Sequence, residues 1–153
     1  MPITIRNARK ADLPQVAVLF DLYRQFYEQA PDPALAREFI DARFARSESV
    51  VLVAQAEGDE DELVGFCQLY PSFCSVEAAP IYVLYDLFVA PSARRSGAGR
   101  ALLVAAEDRA RTDGKARMDL TTARSNHGAQ ALYESLGWKR DEVFHAYSRR
   151  IEA

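Results

Sequence analysis

The stretch "IYVLYDLFVAPSARRSGAGRALLVAAEDRA", residues 81–110, restricts the fold of this chain more than any other. Its first ten residues are almost all β-branched, aromatic or aliphatic, the pattern of a buried central strand, and the run stops at Pro91. Leu102, Leu103, Ala106 and Ala110 then repeat at helical spacing, and Asp113-Gly114 supplies a C-terminal stop. Between strand and helix lie Arg94, Arg95 and Arg100 with Gly97 and Gly99. Bare backbone at a helix start lets several amide N–H groups point at one ligand, and the helix dipole and the arginines add positive charge. Such a turn suits an anion, best a phosphate or pyrophosphate.

The flanking sequence predicts a mixed α+β order. "ITIRNA" reads as a strand, and Asp12 is expected to cap a helix that carries Pro14 in its first turn and the stripe Val16, Leu19, Phe20, Tyr23 and Tyr27. A second helix runs to about Arg46 through Leu35, Phe39, Ile40 and Phe44. "SVVLVAQA" and "ELVGFCQLY", parted by "EGDED", read as an antiparallel hairpin. After the central unit come a strand "ARMDLTT", a helix bearing Ala129, Leu132, Tyr133 and Leu136 that stops at Gly137, and one or two closing strands in "WKRDEVFHAYSRRI".

Composition excludes several classes. A net charge of −3 argues against a non-specific nucleic-acid or acidic-membrane binder. The apolar run "ALLVAA" is far short of the about 20 residues that span a bilayer. "MPITIRNARK" lacks the order of a secretory signal, so a cytoplasmic location is expected. Two cysteines without a CxxC spacing and two histidines argue against a disulfide scaffold or a metal site. With 153 residues, one domain spanning 1–153 is expected.

Two familiar phosphate loops do not fit. Arg100-Ala101 follows Gly99 where a Walker loop needs Lys-Ser/Thr, and Leu102 stands where a dinucleotide fingerprint needs its third glycine. "RRSGAG" does fit Arg/Gln-x-x-Gly-x-Gly/Ala, and "SNHGAQALYESLGW" follows one strand later. Over about residues 81–140 this order resembles the GNAT family of N-acetyltransferases. The resemblance implies a mixed, mostly antiparallel sheet of six to seven strands flanked by about four helices, with acetyl-CoA as donor and an amine-bearing small molecule or peptide as acceptor.

The resemblance also implies roles. The backbone of Leu87, Phe88 and Val89, on a bulged strand, would hold the pantetheine arm and the thioester carbonyl. Arg94, Arg95, Ser96, Gly97, Ala98, Gly99 and Arg100 would surround the pyrophosphate. Asn126 matches a cofactor-binding position and equally reads as a helix cap. Tyr133 matches the general acid for the departing thiolate, and a phenol near pKa 10 suits a thiol near 8.5; it also lies on the apolar stripe of its helix. "LYDLFV" is similar to the polyamine-acetylating branch, except that Tyr85 stands where that branch has a glutamate. Tyr85 is then expected to line the pocket or order a water, and Asp86, Glu77 and His127 remain as candidate bases.

Phe20, Tyr23, Phe26 and Tyr27 are either core or a stacking surface for the acceptor, with Asp21 and Glu28 available to attract its charge. Neither Cys67 nor Cys74 has an evident activating partner, so direct transfer in a ternary complex is preferred to a covalent relay. A CoA-binding sensor without turnover is the alternative. "FHAYSRRI" is expected to be an exposed strand able to pair across a two-fold, which points to a homodimer.

Overall fold

The computed structural model describes residues 2–58 and 62–152, which divide into two compact units, Met1–Thr121 and Thr122–Ala153. The first unit is built as β1 (Ile3–Asn7), α1 (Leu13–Phe26), α2 (Pro33–Ala45), β2 (Val50–Ala56), β3 (Leu63–Cys74), β4 (Ala79–Val89), α3 (Ala98–Thr112) and β5 (Met118–Asp119). The second contains α4 (His127–Ser135).

The strands stand in the order β1-β2-β3-β4-β5, antiparallel except for the parallel pair β4–β5. That exception is forced by the intervening helix, because a parallel return needs a long crossover. This five-stranded mixed sheet with four helices is the expected fold class with fewer strands than the six to seven expected. The shortfall lies in "WKRDEVFHAYSRRI", which carries no strand among its described residues. β-branched and aromatic residues there satisfy strand composition, but a strand also needs a neighbour for its backbone donors and acceptors. Of "ARMDLTT", only Met118–Asp119 pairs. Three residues of the acidic stretch between β2 and β3, at 59–61, lie outside the described residues.

One face of the sheet is covered by α1 and α2. Leu13, Val16, Leu19 and Phe20 of α1, with Ala36 and Ile40 of α2, pack on Val51, Val53, Phe66 and Phe88. α3 covers the opposite face through Leu102, Leu103 and Ala106. Side-chain alternation explains the split, since Phe66 points to one side of β3 and Gly65 to the other. The far end of α3 is fastened by Arg109, which bonds Asn7 on β1 at 2.9 Å and Asp113 at 2.7 Å, while Asp113 also accepts from the Tyr82 hydroxyl. No described helix is long and apolar enough to cross a membrane.

Asp12 does not cap α1 with its side chain, contrary to expectation. Its buried carboxylate instead takes the Arg6 guanidinium through two bonds, 2.7 and 3.0 Å, and the Arg9 amide at 2.7 Å. A bidentate guanidinium outcompetes a single backbone amide for a carboxylate. The pair fixes the turn that brings α1 back over the sheet.

Gly65 is where a side chain is forbidden. A Cβ there would sit 2.9 Å from the Phe88 carbonyl oxygen and 3.4 Å from side-chain atoms of Leu102 and Val89. Gly65→Ala must therefore push β4 or α3 away, and should lower stability by about 1–3 kcal/mol, read as a fall in thermal midpoint of roughly 3–10 °C. An unchanged midpoint would show that this contact does not limit the packing.

Candidate active site

β4 ends in the turn that starts α3. Pro91–Ala93 form one 3-10 turn, Arg95 has φ 64°, and Gly97 has φ 87° at the N-cap of α3. Nothing lies within 4 Å of where a Gly97 Cβ would be, so glycine is placed there by its backbone angle and not by crowding. Ser96 Oγ accepts from the Ala98 amide at 3.3 Å, and the first helical bond runs from the Ala101 amide to the Gly97 carbonyl at 3.0 Å. Among the described residues, no backbone acceptor takes the Gly97 or Gly99 amide. Arg94, Arg95 and Arg100 are exposed around them, and Arg94 also donates to the Val89 carbonyl at 3.2 Å. Unused amides at the mouth of a 15-residue helix, ringed by cations, fit an anionic ligand.

The strand leading into this turn carries a bulge, as the family resemblance implies. Gln68 pairs with Asp86 but Leu69 pairs with Leu84, so Tyr85 is an extra residue in β4. On its other edge, β4 is paired by β5 only at Tyr82 and Val83, which leaves the backbone from Leu84 to Val89 without a described strand on that side. Leu87, Phe88 and Val89 therefore have backbone groups available along an open edge.

The bulge also sorts two side chains. Tyr85 is 64% exposed, while its neighbour Asp86 is only 3% exposed. Both line a cavity of about 610 Å³ with Phe20, Tyr23, Arg24, Phe39, Arg43, Glu48, Tyr70 and Pro71. Tyr23 donates its hydroxyl to the Tyr85 carbonyl at 2.9 Å, and Tyr70 meets Tyr85 edge to face at 5.5 Å. Gln68 donates to Asp86 at 2.5 Å and accepts from the Ser49 hydroxyl at 2.7 Å. Burial pushes the Asp86 carboxyl up to about 6, against the lowering effect of the Gln68 and Tyr23 hydrogen bonds. Burial and the nearby Asp86 charge push the Tyr23 and Tyr70 phenols up as well, so both are neutral donors at physiological pH.

Of the three candidate bases, only Asp86 faces this cavity. Glu77 pairs with Arg117 at 3.3 Å, and His127 lies in the second unit. Of the aromatic stripe, Phe20 and Tyr23 line the cavity, whereas Phe26 and Tyr27 are exposed and are not part of its lining. Asp21 is spent on structure, accepting the Asp32 amide at 2.9 Å and the Gln25 side chain at 3.1 Å. Cys67 is buried and its thiol pushed up to about 12 by that burial, which leaves no thiolate for a covalent relay at neutral pH. Arg24 and Arg43 escape sequence reasoning because charged residues on amphipathic helices ordinarily face water, and Glu48 because it lies in the connection between α2 and β2.

In the second unit, the Asn126 side chain accepts from the Ala129 amide at 3.2 Å and so caps α4. Tyr133 lies on α4 with its ring 6.1 Å from Trp138, beyond the helix stop.

A parallel β4–α3–β5 unit with an anion-receptive turn, beside an open-edged bulged strand and an aromatic cavity, has the parts of an acyl-CoA transferase. The Acetyltransferase (GNAT) family model matches residues 16–138, and the chain belongs to that family. It is an acetyltransferase of that family: it is 44% identical over 151 residues, 99% of each chain, to the "Uncharacterized N-acetyltransferase YhfO" of Bacillus subtilis (strain 168). A crystal structure of a probable acetyltransferase superposes with a TM-score of 0.89 at 38% identity, covering 100% of this chain and 99% of the other. The aminoglycoside N-acetyltransferase AAC(6')-Iy, solved in complex with CoA, shares the fold with a TM-score of 0.81 at 19% identity over 98% of this chain and 96% of its own.

Removing the Gln68 donor should raise the Asp86 carboxyl further. Carboxyl NMR of the ligand-free protein should show Asp86 titrating near 6, and higher in Gln68→Leu. The sign for stability follows: the folded value lies above the unfolded one, so the cost of the charge is absent below roughly pH 4 and fully present above about 6. Titration at an ordinary carboxylate value would contradict the burial of Asp86.

Proposed function

We propose that this enzyme transfers the acetyl group of acetyl-CoA directly to the primary amine of a small molecule or peptide, in a ternary complex. The observation that carries the reading is the pairing, on one strand, of the bulge at Tyr85-Asp86 with the anion-receptive turn at Gly97. In this reading Arg94, Arg95, Ser96, Gly97, Ala98, Gly99 and Arg100 hold the pyrophosphate, mostly by backbone amides. Leu87, Phe88 and Val89 offer backbone groups to the pantetheine arm and the thioester carbonyl, and a donor aimed at that oxygen lowers the barrier as charge builds on it. Asn126 hydrogen-bonds the cofactor with the part of its amide that does not cap α4.

Acetyl-CoA supplies an activated acyl group: the amine nitrogen forms a bond to the carbonyl carbon and the carbon–sulfur bond breaks. An ammonium near pKa 10.4 must first lose a proton. Asp86, ionised above about pH 6, takes it through water ordered by Tyr85 and Tyr23. Tyr133 returns a proton to the departing thiolate. Holding amine and thioester in line supplies much of the remaining acceleration. Free thiols at Cys67 and Cys74 accord with a cytoplasmic location, and we assign the enzyme there.

Thiol release from acetyl-CoA across a panel of amines tests the reading. Tyr133→Phe should lower kcat about 100-fold while calorimetry shows CoA still bound. If CoA binds and no amine accelerates thiol release, the transferase reading falls.

We further propose a homodimer. Val143, Phe144, Tyr147 and Ile151 are exposed on a segment without secondary structure, and a second copy is the partner that would cover them. Sedimentation velocity should give a dimer, and Phe144→Asp with Tyr147→Asp should give a monomer; a monomeric wild type overturns the assignment.

A further inference from the structure

The charges lining the cavity do not cancel in pairs. Four charged side chains face it: Arg24, Arg43, Glu48 and Asp86. Arg43 is answered within the protein, bonding Glu48 at 2.9 Å and lying 4.4 Å over the Phe39 ring. Asp86 receives a hydrogen bond from neutral Gln68 and has the neutral Tyr23 hydroxyl beside it, with no cation among the described residues. Arg24, on α1 beside Tyr23, has its Nη1 fully buried with no hydrogen-bond partner among the described residues. A buried cationic donor left unmet is costly, and the fold gains nothing from it. Its geometry is that of a planar fork suited to a carboxylate.

The cavity thus presents one unanswered cation and one unanswered carboxylate, on different elements, with Phe20, Tyr23, Phe39 and Tyr70 among its walls. This is the electrostatic complement of a zwitterion. We propose that the acceptor is an amine carrying a free carboxylate, an amino acid or a short peptide, with its anion held by Arg24 and its amine turned toward Asp86. The assignment rests on the reading of this cavity as the acceptor site. It also sets specificity against polycations, because a second ammonium near Arg24 meets a like charge with no partner.

Matched acceptors test it: phenylalanine against phenethylamine, and dipeptides with a free C-terminus against their C-terminal amides, in the thiol-release assay. The wild type should favour the carboxylate member at least about tenfold in kcat/KM, the size of one charge-assisted hydrogen bond. In Arg24→Gln that ratio should collapse toward one through a higher KM for the acceptor, and Arg24→Lys should recover part of it. A wild-type ratio near one, an Arg24→Gln loss equal for both members, or a change confined to the KM for acetyl-CoA would overturn the proposal. If no acceptor releases thiol, the transfer reading is what fails, and calorimetric titration of the same pairs onto CoA-saturated protein still decides whether Arg24 takes a carboxylate.

Discussion

β3 and β4 form the longest pairing in the sheet, and at Gln68/Leu69 that pairing slips because β4 carries one residue more. The slip governs much else. Without it, strict alternation would put the neighbours Tyr85 and Asp86 on opposite faces of the sheet, whereas both line one cavity. With it, Asp86 is drawn inward onto Gln68, and the chain between Gln68 and Ser49 ties three backbone segments around one carboxylate. The same bulge turns the Tyr85 carbonyl to where the Tyr23 phenol of α1 can reach it.

Much of this was legible in the sequence, and unevenly so. The strand, arginine-glycine turn and helix from 81 to 112 stand as read, as do the β2–β3 hairpin and the helix stops at Gly114 and Gly137, both with positive φ. These are local signals, in which the residue type and the conformation it favours coincide. What failed needed distant partners. The closing strands did not form because alternating apolar residues supply a face but no neighbour, and Asp12 was claimed by Arg6 from six residues away. In the candidate site, the sequence offers Asp86 as one of three candidate bases without distinguishing its buried setting from the exposed one of Tyr85. Parity of face is lost at a bulge, so which side of the sheet a residue beyond it takes cannot be counted off the chain.

The two ends of the first unit's site are built from different material. The anion-receptive turn is backbone held at particular angles, with arginines around it. The cavity is made of side chains from α1, α2, β3, β4 and the α2–β2 connection. Backbone recognition tolerates change in neighbouring side chains, whereas a cavity of side chains is rewritten by each substitution.

The bond from the Tyr23 hydroxyl to the Tyr85 carbonyl gives that contrast a mechanical side. It clips a helix to a strand by a side chain on one partner and main chain on the other. Residues on the exposed sides of α1 and α2, away from core positions such as Ala36 and Ile40, are then free to diverge while the helix keeps its seat. On the function proposed above, altering the helical wall exchanges one acceptor for another and leaves undisturbed the strand proposed to serve the donor.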